Sequence, residues 1–275
     1  MYIPKILLIK RKEYIEKIKN LDKKTKKIVL LIGIFLVVIT TIILVFPKNF
    51  KKTLVLNTNK SVYSVGENVY LSIVNTEQDG SIICDSKLKI RIKGPKTKID
   101  LSTEDETISI STTCSEQTSN NPDYLTSFIP EKEGTYKITL SRGGSKVEKK
   151  IEVKDNQDFI IERSGATRVK KLENTRYPMI IKITSQKDFS GQISDHIPSS
   201  FNIIWQGRST VSEEKNFKKI TWNVELKAGE TKELIYEYRP SEEISEVFKF
   251  GPIEILSNRK SIFKENAFWE VAVTK

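Results

Sequence analysis

Between Ile28 and Phe46 the chain reads IVLLIGIFLVVITTIILVF, an uncharged apolar run interrupted only by Gly33, Thr40 and Thr41. A helix of a soluble domain keeps a polar face, and this run has none. At ~1.5 Å rise per residue, a helix of that length just covers the ~30 Å hydrocarbon core of a bilayer. The run therefore predicts a single transmembrane helix over 28–46. A cleaved secretory signal fits less well. The basic segment 1–27 is long, Pro47-Lys48-Asn49-Phe50-Lys51-Lys52 follows the run, and no small-residue cleavage site appears.

Orientation follows from the flanking charge. Ten lysines and arginines lie between Lys5 and Lys27, against Lys48, Lys51 and Lys52 just after the run. The positive-inside rule then places 1–27 in the cytoplasm and 53–275 outside the membrane, a type II single-pass topology. The same count accounts for the net charge of +11. Without these flanks, 53–275 holds 33 basic and 32 acidic residues. The excess sits beside the bilayer, where each basic group gains ~1 kcal/mol from anionic headgroups. Lipid is thus the expected partner of this charge, and nucleic acid is not. Ile6–Ile9, and Tyr14, Ile18 and Leu21 spaced among lysines, predict a basic amphipathic helix on the inner leaflet or a docking helix for a cytoplasmic partner.

From Thr53 onward the hydrophobic period becomes two. Leu88, Ile90 and Ile92 alternate with Lys87, Lys89, Arg91 and Lys93, the mark of a strand with one dry and one wet face. The same alternation runs through Val69–Ile73, Tyr136–Leu140, Met179–Ile183, Phe201–Trp205, Ile220–Leu226, Leu234–Tyr238 and Trp269–Val273. Turn signals such as Val65-Gly66-Glu67-Asn68, Glu133-Gly134, Gly143-Gly144 and Ala228-Gly229-Glu230 separate them. The expected fold class is mainly β: two tandem immunoglobulin-like β-sandwiches plus one N-terminal transmembrane α-helix. The polar join Lys154-Asp155-Asn156-Gln157-Asp158 sets the expected domains at 53–155 and 156–275.

Two segments carry a resemblance. Asn59-Lys60-Ser61-Val62-Tyr63-Ser64-Val65-Gly66-Glu67-Asn68-Val69 and Pro130-Glu131-Lys132-Glu133-Gly134-Thr135-Tyr136-Lys137-Ile138 resemble bacterial immunoglobulin-like and macroglobulin-like surface domains. That resemblance implies a tyrosine, Tyr136, packed at a strand corner. Most of 156–275 resembles DUF11-like surface repeats, through Asp195-His196-Ile197-Pro198-Ser199-Ser200-Phe201, Ile220–Thr231 and Ile235-Tyr236-Glu237-Tyr238. It implies a sandwich with Asp195–Phe201 at its edge. It implies no particular activity, since such modules serve as spacers, repeats and adhesive units.

Cys84 and Cys114 are the two cysteines. Outside the membrane they can close a disulfide loop of about 30 residues, contributing ~3 kcal/mol, or remain two thiols. With one histidine they cannot complete a closed four-ligand zinc site. His196 beside Asp195, near Ser199 and Ser200, suggests a hydrolase triad, but neighbours on a strand point to opposite faces. Glu104-Asp105-Glu106 and Glu213-Glu214 lack the spacing of a calcium loop. The Ser/Thr-rich stretch Leu101–Asn121 reads as a glycosylated or exposed hairpin, or an edge-strand region. Trp205, Trp222 and Trp269 lie on expected strands, where core filling is favoured over ligand stacking, with Trp205 counted beside Phe201 and Ile203.

No phosphate loop, nucleophile elbow or metalloprotease motif occurs. The expectation is a membrane-anchored extracytoplasmic protein without catalysis or cofactor. It acts as a binding, adhesion or spacer module, with an envelope protein or glycan as partner. The alternative is an accessory subunit of a membrane-embedded envelope or secretion complex.

Overall fold

The computed structural model describes residues 53–77, 80–114, 121–171, 175–241 and 246–274. The expected cytoplasmic segment 1–27 and transmembrane helix 28–46 lie outside the described residues. Among the described residues every regular element is a strand. No helix there is long and apolar enough to cross a membrane.

The first nine strands are β1 (Thr53–Thr58), β2 (Val62–Tyr63), β3 (Val69–Thr76), β4 (Lys89–Gly94), β5 (Thr97–Ser102), β6 (Ser109–Ile110), β7 (Tyr124–Phe128), β8 (Gly134–Arg142) and β9 (Ser145–Val153). They form two sheets, ordered β1-β3-β7-β6 and β2-β9-β8-β4-β5. Pairing is antiparallel except for the short β2, which runs parallel to the last strand, β9. The alternation in the sequence decides the faces. On β4, Ile90 and Ile92 are buried while Lys89, Arg91 and Lys93 are exposed. Leu56, Leu71 and Ile73 from one sheet meet Ile92, Ile138, Leu140 and Ile151 from the other in a single core. Each such side chain contributes about 1.5–3 kcal/mol on full burial.

Buried tyrosines pin the corners. The Tyr136 hydroxyl donates to Lys132 O at 3.0 Å and accepts from Lys132 N at 3.3 Å. Tyr124 donates to Ile83 O at 2.7 Å and accepts from Ser86 N at 3.0 Å. A buried hydroxyl without such partners would cost ~1–3 kcal/mol. The sulfurs of Cys84 and Cys114 are bonded, with Cα atoms 5.8 Å apart. This bridge fastens the β3–β4 connection to the chain just after β6.

The remaining strands are β10 (Phe159–Gly165), β11 (Arg168–Lys170), β12 (Tyr177–Ser185), β13 (Phe189–Pro198), β14 (Phe201–Trp205), β15 (Thr210–Glu213), β16 (Phe217–Leu226), β17 (Thr231–Pro240), β18 (Glu246–Phe250), β19 (Glu254–Ser257), β20 (Lys260–Lys264) and β21 (Trp269–Thr274). Their sheets are β10-β12-β17-β14, β15-β16-β13-β19-β20 and β11-β21-β18. Again a short early strand, β11, runs parallel to the last, β21. After β13 the chain crosses to β14 on the opposite sheet, then returns through β15 and β16 to pair again with β13. A second core joins Phe159, Ile181, Phe201, Tyr236, Trp222, Ile255 and Trp269.

Two expectations need correction. Asp195–Pro198 belongs to β13, the central strand of its sheet, rather than to an edge. Its polar residues are tolerated there because Asp195 is completely buried against charged partners. Trp205 is 49% exposed, not core. The register of β14 shifts between Ile203 and Trp205, inserting a bulge, and one extra residue reverses the facing of those that follow.

Candidate functional site

Charged and amide side chains at positions of inward parity mark where the two cores meet. Asn57, on β1, is fully buried. Its side-chain Nδ2 donates to Glu270 O at 2.7 Å, and its Oδ1 accepts from Glu270 N at 2.8 Å. The carboxamide thus pairs with β21 as a strand backbone would. Lys149 shares its inward side of β9 with Ile151 and Val153, and its ammonium reaches Leu56 O (3.0 Å), Phe268 O (2.8 Å) and Asn57 Oδ1 (3.3 Å). Three donors meet three oxygens, which satisfies a buried ammonium. Burial lowers the Lys149 ammonium to about 8, opposed by the carboxylates of Glu270 and Glu265.

A second tie uses a full ion pair. Arg168 on β11, 2% exposed, donates from one guanidinium nitrogen to Asp123 Oδ1 at 2.6 Å. Asp123 Oδ2 accepts from Asn75 N at 2.8 Å. Burial pushes the Asp123 carboxyl up, against the pull of the Asn75 amide and Arg168. Around these groups Val55, Val74 and Ala272 form a small apolar contact, and Arg163 N donates to Asn59 O at 2.7 Å. Residues 53–275 accordingly lie within one compact unit.

A third cluster lies inside the second core. Arg163 grips Asp195 through two bonds of 2.7 and 2.9 Å and reaches Glu265 at 3.3 Å. Tyr236 Oη donates to Asp195 Oδ2 at 2.8 Å, and Glu265 Oε2 accepts from Ile253 N at 3.0 Å. Burial pushes the Glu265 carboxyl up against the pull of Arg163. The two carboxylates more than offset the effect of burial on the Arg163 guanidinium, which stays charged. All the groups here are sealed from solvent, so the cluster has no face to offer a substrate.

The residues singled out in the sequence do not assemble into a catalytic site. The carboxyl of Asp195 is taken by Arg163, Tyr236 and the His196 backbone amide. The His196 ring faces the other way, with Nδ1 3.0 Å from Pro252 O and the ring in a T-shaped contact with Phe217. Ser199 N and Ser200 O serve backbone contacts to Asn216 and Ser241. Glu104 bridges Lys87 and Lys89, each at 3.1 Å, and Glu213 is exposed at the end of β15. Among the described residues no group of three acidic, histidine or cysteine side chains could hold a metal. Trp222 and Trp269 are buried in the second core. The Ser/Thr-rich stretch supplies the two-residue edge strand β6, while 115–120 fall outside the described residues.

Sequence reasoning passed over Asn57, Asp123, Lys149, Arg163 and Arg168. A signal existed for two of them: Lys149 and Arg163 occupy apolar parity on β9 and β10, where an unpaired charge would be costly. Their partners come from residues far along the chain.

No family model matches the chain, and no curated protein matches it. Among solved structures, similarity is found to parts of bacterial α2-macroglobulins. Trypsin-activated α2-macroglobulin from Escherichia coli matches at 12% identity and a TM-score of 0.30, over 82% of this chain and 16% of that one. Salmonella α2-macroglobulin reacted with methylamine matches at 12% identity and 0.31, over 82% and 15%. Elastase-activated E. coli α2-macroglobulin matches at 11% identity and 0.31, over 83% and 22%. The chain spans less than a quarter of each, and a likeness this slight carries no argument about function.

Proposed function

We propose that this chain is a membrane-anchored extracytoplasmic protein whose two immunoglobulin-like sandwiches act together as a rigid, non-catalytic spacer and binding module. The anchor rests on the apolar run 28–46 and the topology on its basic flank. The strand order of the first sandwich supports the immunoglobulin-like reading. β1-β3-β7-β6 and β9-β8-β4 follow the ABED and GFC order of that fold.

The observation that carries the proposal is the buried pair Arg168–Asp123 between the two cores. Flexible tandem domains usually meet through small, wet interfaces. Here charged side chains are desolvated across the junction, and an arrangement of that kind tolerates little sliding because each displaced charge would lose its partner. A stalk that must hold a binding surface at a fixed distance from the membrane requires this stiffness. Protease added to intact cells should remove 53–275 and spare 1–27. Digestion only after lysis would overturn the extracytoplasmic placement.

A further inference from the structure

The outer face of the sheet β2-β9-β8-β4-β5 carries a charge pattern set entirely by register. Lys93 pairs with Lys98 on one side and Lys137 on the other, and Lys137 pairs with Lys150. Strands lie ~4.8 Å apart, so four lysines stand in line across ~14 Å. The neighbouring rung is Asp100, Arg91, Thr139 and Glu148, and the one beyond it bears Lys89 and Lys146. Lys93 and Lys137, with residues of the two rungs beside them, line an open concavity of about 470 Å³, and Lys98 and Lys150 stand outside its lining.

The few acids on this face are already engaged. Asp100 holds Arg91 at 2.7 Å and Lys98 at 3.4 Å, and Glu148 holds Lys137 at 2.7 Å. The bond to Arg91 keeps the Asp100 carboxyl below the usual range, and the bond to Lys137 does the same for Glu148. Among the described residues Lys93, Lys146 and Lys150 form no ion pair, and all three are exposed. Like charges directly opposite on neighbouring strands destabilise a sheet. Asp100 and Glu148 offset this at Lys98 and Lys137, and at Lys93 and Lys150 the repulsion is left for an anionic partner to offset.

We propose that this face binds a linear anionic phosphate polymer laid across the strands along the rung of Lys98, Lys93, Lys137 and Lys150. Four ammonium groups in line match a repeating chain of charges better than a single ion. Sites for single-stranded nucleic acid add aromatic platforms for the bases, and surfaces that rest on a bilayer add apolar or aromatic anchors. The outward residues of β4, β5, β8 and β9 are lysine, arginine, threonine, serine, aspartate and glutamate, with no aromatic among them. The setting in the envelope rests on the proposed extracytoplasmic placement; the binding itself does not.

The test titrates the outer part 53–275 with linear polyphosphate at several salt concentrations. That part lies within one compact unit and lacks the basic flanks of the apolar run, which would themselves bind a polyanion. Four contacts predict a log–log salt slope near −3, at ~0.7 per neutralised phosphate. Replacing Lys93→Thr together with Lys150→Thr should halve the slope and weaken binding about tenfold or more. The same double variant should melt no lower than the parent, because it relieves repulsion. Lys215→Thr with Lys260→Thr, exposed on the second sandwich, makes the same charge change and should leave binding intact. Salt-insensitive or absent binding, or equal loss in the control, overturns the proposal. So does tighter binding to phosphatidylcholine–phosphatidylglycerol vesicles or to single-stranded oligonucleotide than to polyphosphate. Protease protection of intact cells alongside lysine-dependent binding would overturn only the envelope setting.

Discussion

Lys149 shows how one side chain sets a pH dependence with a definite sign. An unfolded lysine holds its proton up to 10.5, whereas this one releases it at about 8. Between those values the unfolded chain binds more protons than the folded one, so the contribution of this group to stability rises with pH. Below about 8 the ammonium is charged in both states and the full cost of burying it is present. At about 1.4 kcal/mol per pH unit the rise totals ~3 kcal/mol. The charged groups that act on it are Glu270, Glu265, Arg163 and Lys249. Urea midpoints across that range should climb in the parent, relative to Lys149→Met, and an equal slope in both would refute the assignment. The ion pair makes a second residue-scale prediction. Asp123→Ala leaves Arg168 buried beside a lost carboxylate and should cost about 3–5 kcal/mol by urea unfolding. Asp123→Leu combined with Arg168→Leu should recover part of that loss, because no charge is then stranded.

Among the elements, β13 depends on a glycine. A Cβ at Gly191 would overlap Leu256 O on β19 and the ring of Phe189. Gly191→Ala should therefore loosen the β13–β19 pairing, at about 1–3 kcal/mol. It should be read as faster hydrogen exchange at Gln192–Ser194 and Glu254–Leu256, the residues paired there. Unchanged protection would show that β19 can shift without cost. The Cys84–Cys114 bridge closes a sequence separation of 30. In the chain-entropy account Cys84→Ala with Cys114→Ala should lower stability by ~3–4 kcal/mol, measured as a fall in the urea midpoint. The strands themselves were legible from period-two alternation, as on β4, β8 and β12, because one face of each is dry. Trp205 was not, since a bulge is a property of two paired strands and leaves no mark on either alone.

At the scale of the molecule, the polar junction couples two cores that alternation alone describes as separate. The chain should unfold calorimetrically in one transition, and Asp123→Ala should split it into two. Two transitions already present in the parent would mean that the junction does not couple the two cores. The sequence by itself determined the bilayer-length apolar run, the one-sided basic flank and the mainly β character. Each of these is a pattern among near neighbours, read directly from periodicity and charge. Tertiary structure alone decided the order of strands in each sheet, the partners of Lys149 and Arg168, and the line of lysines from Lys98 to Lys150. Parity says which way a side chain points, but what it meets there comes from a distant strand, and that pairing exists only once the sheets have closed.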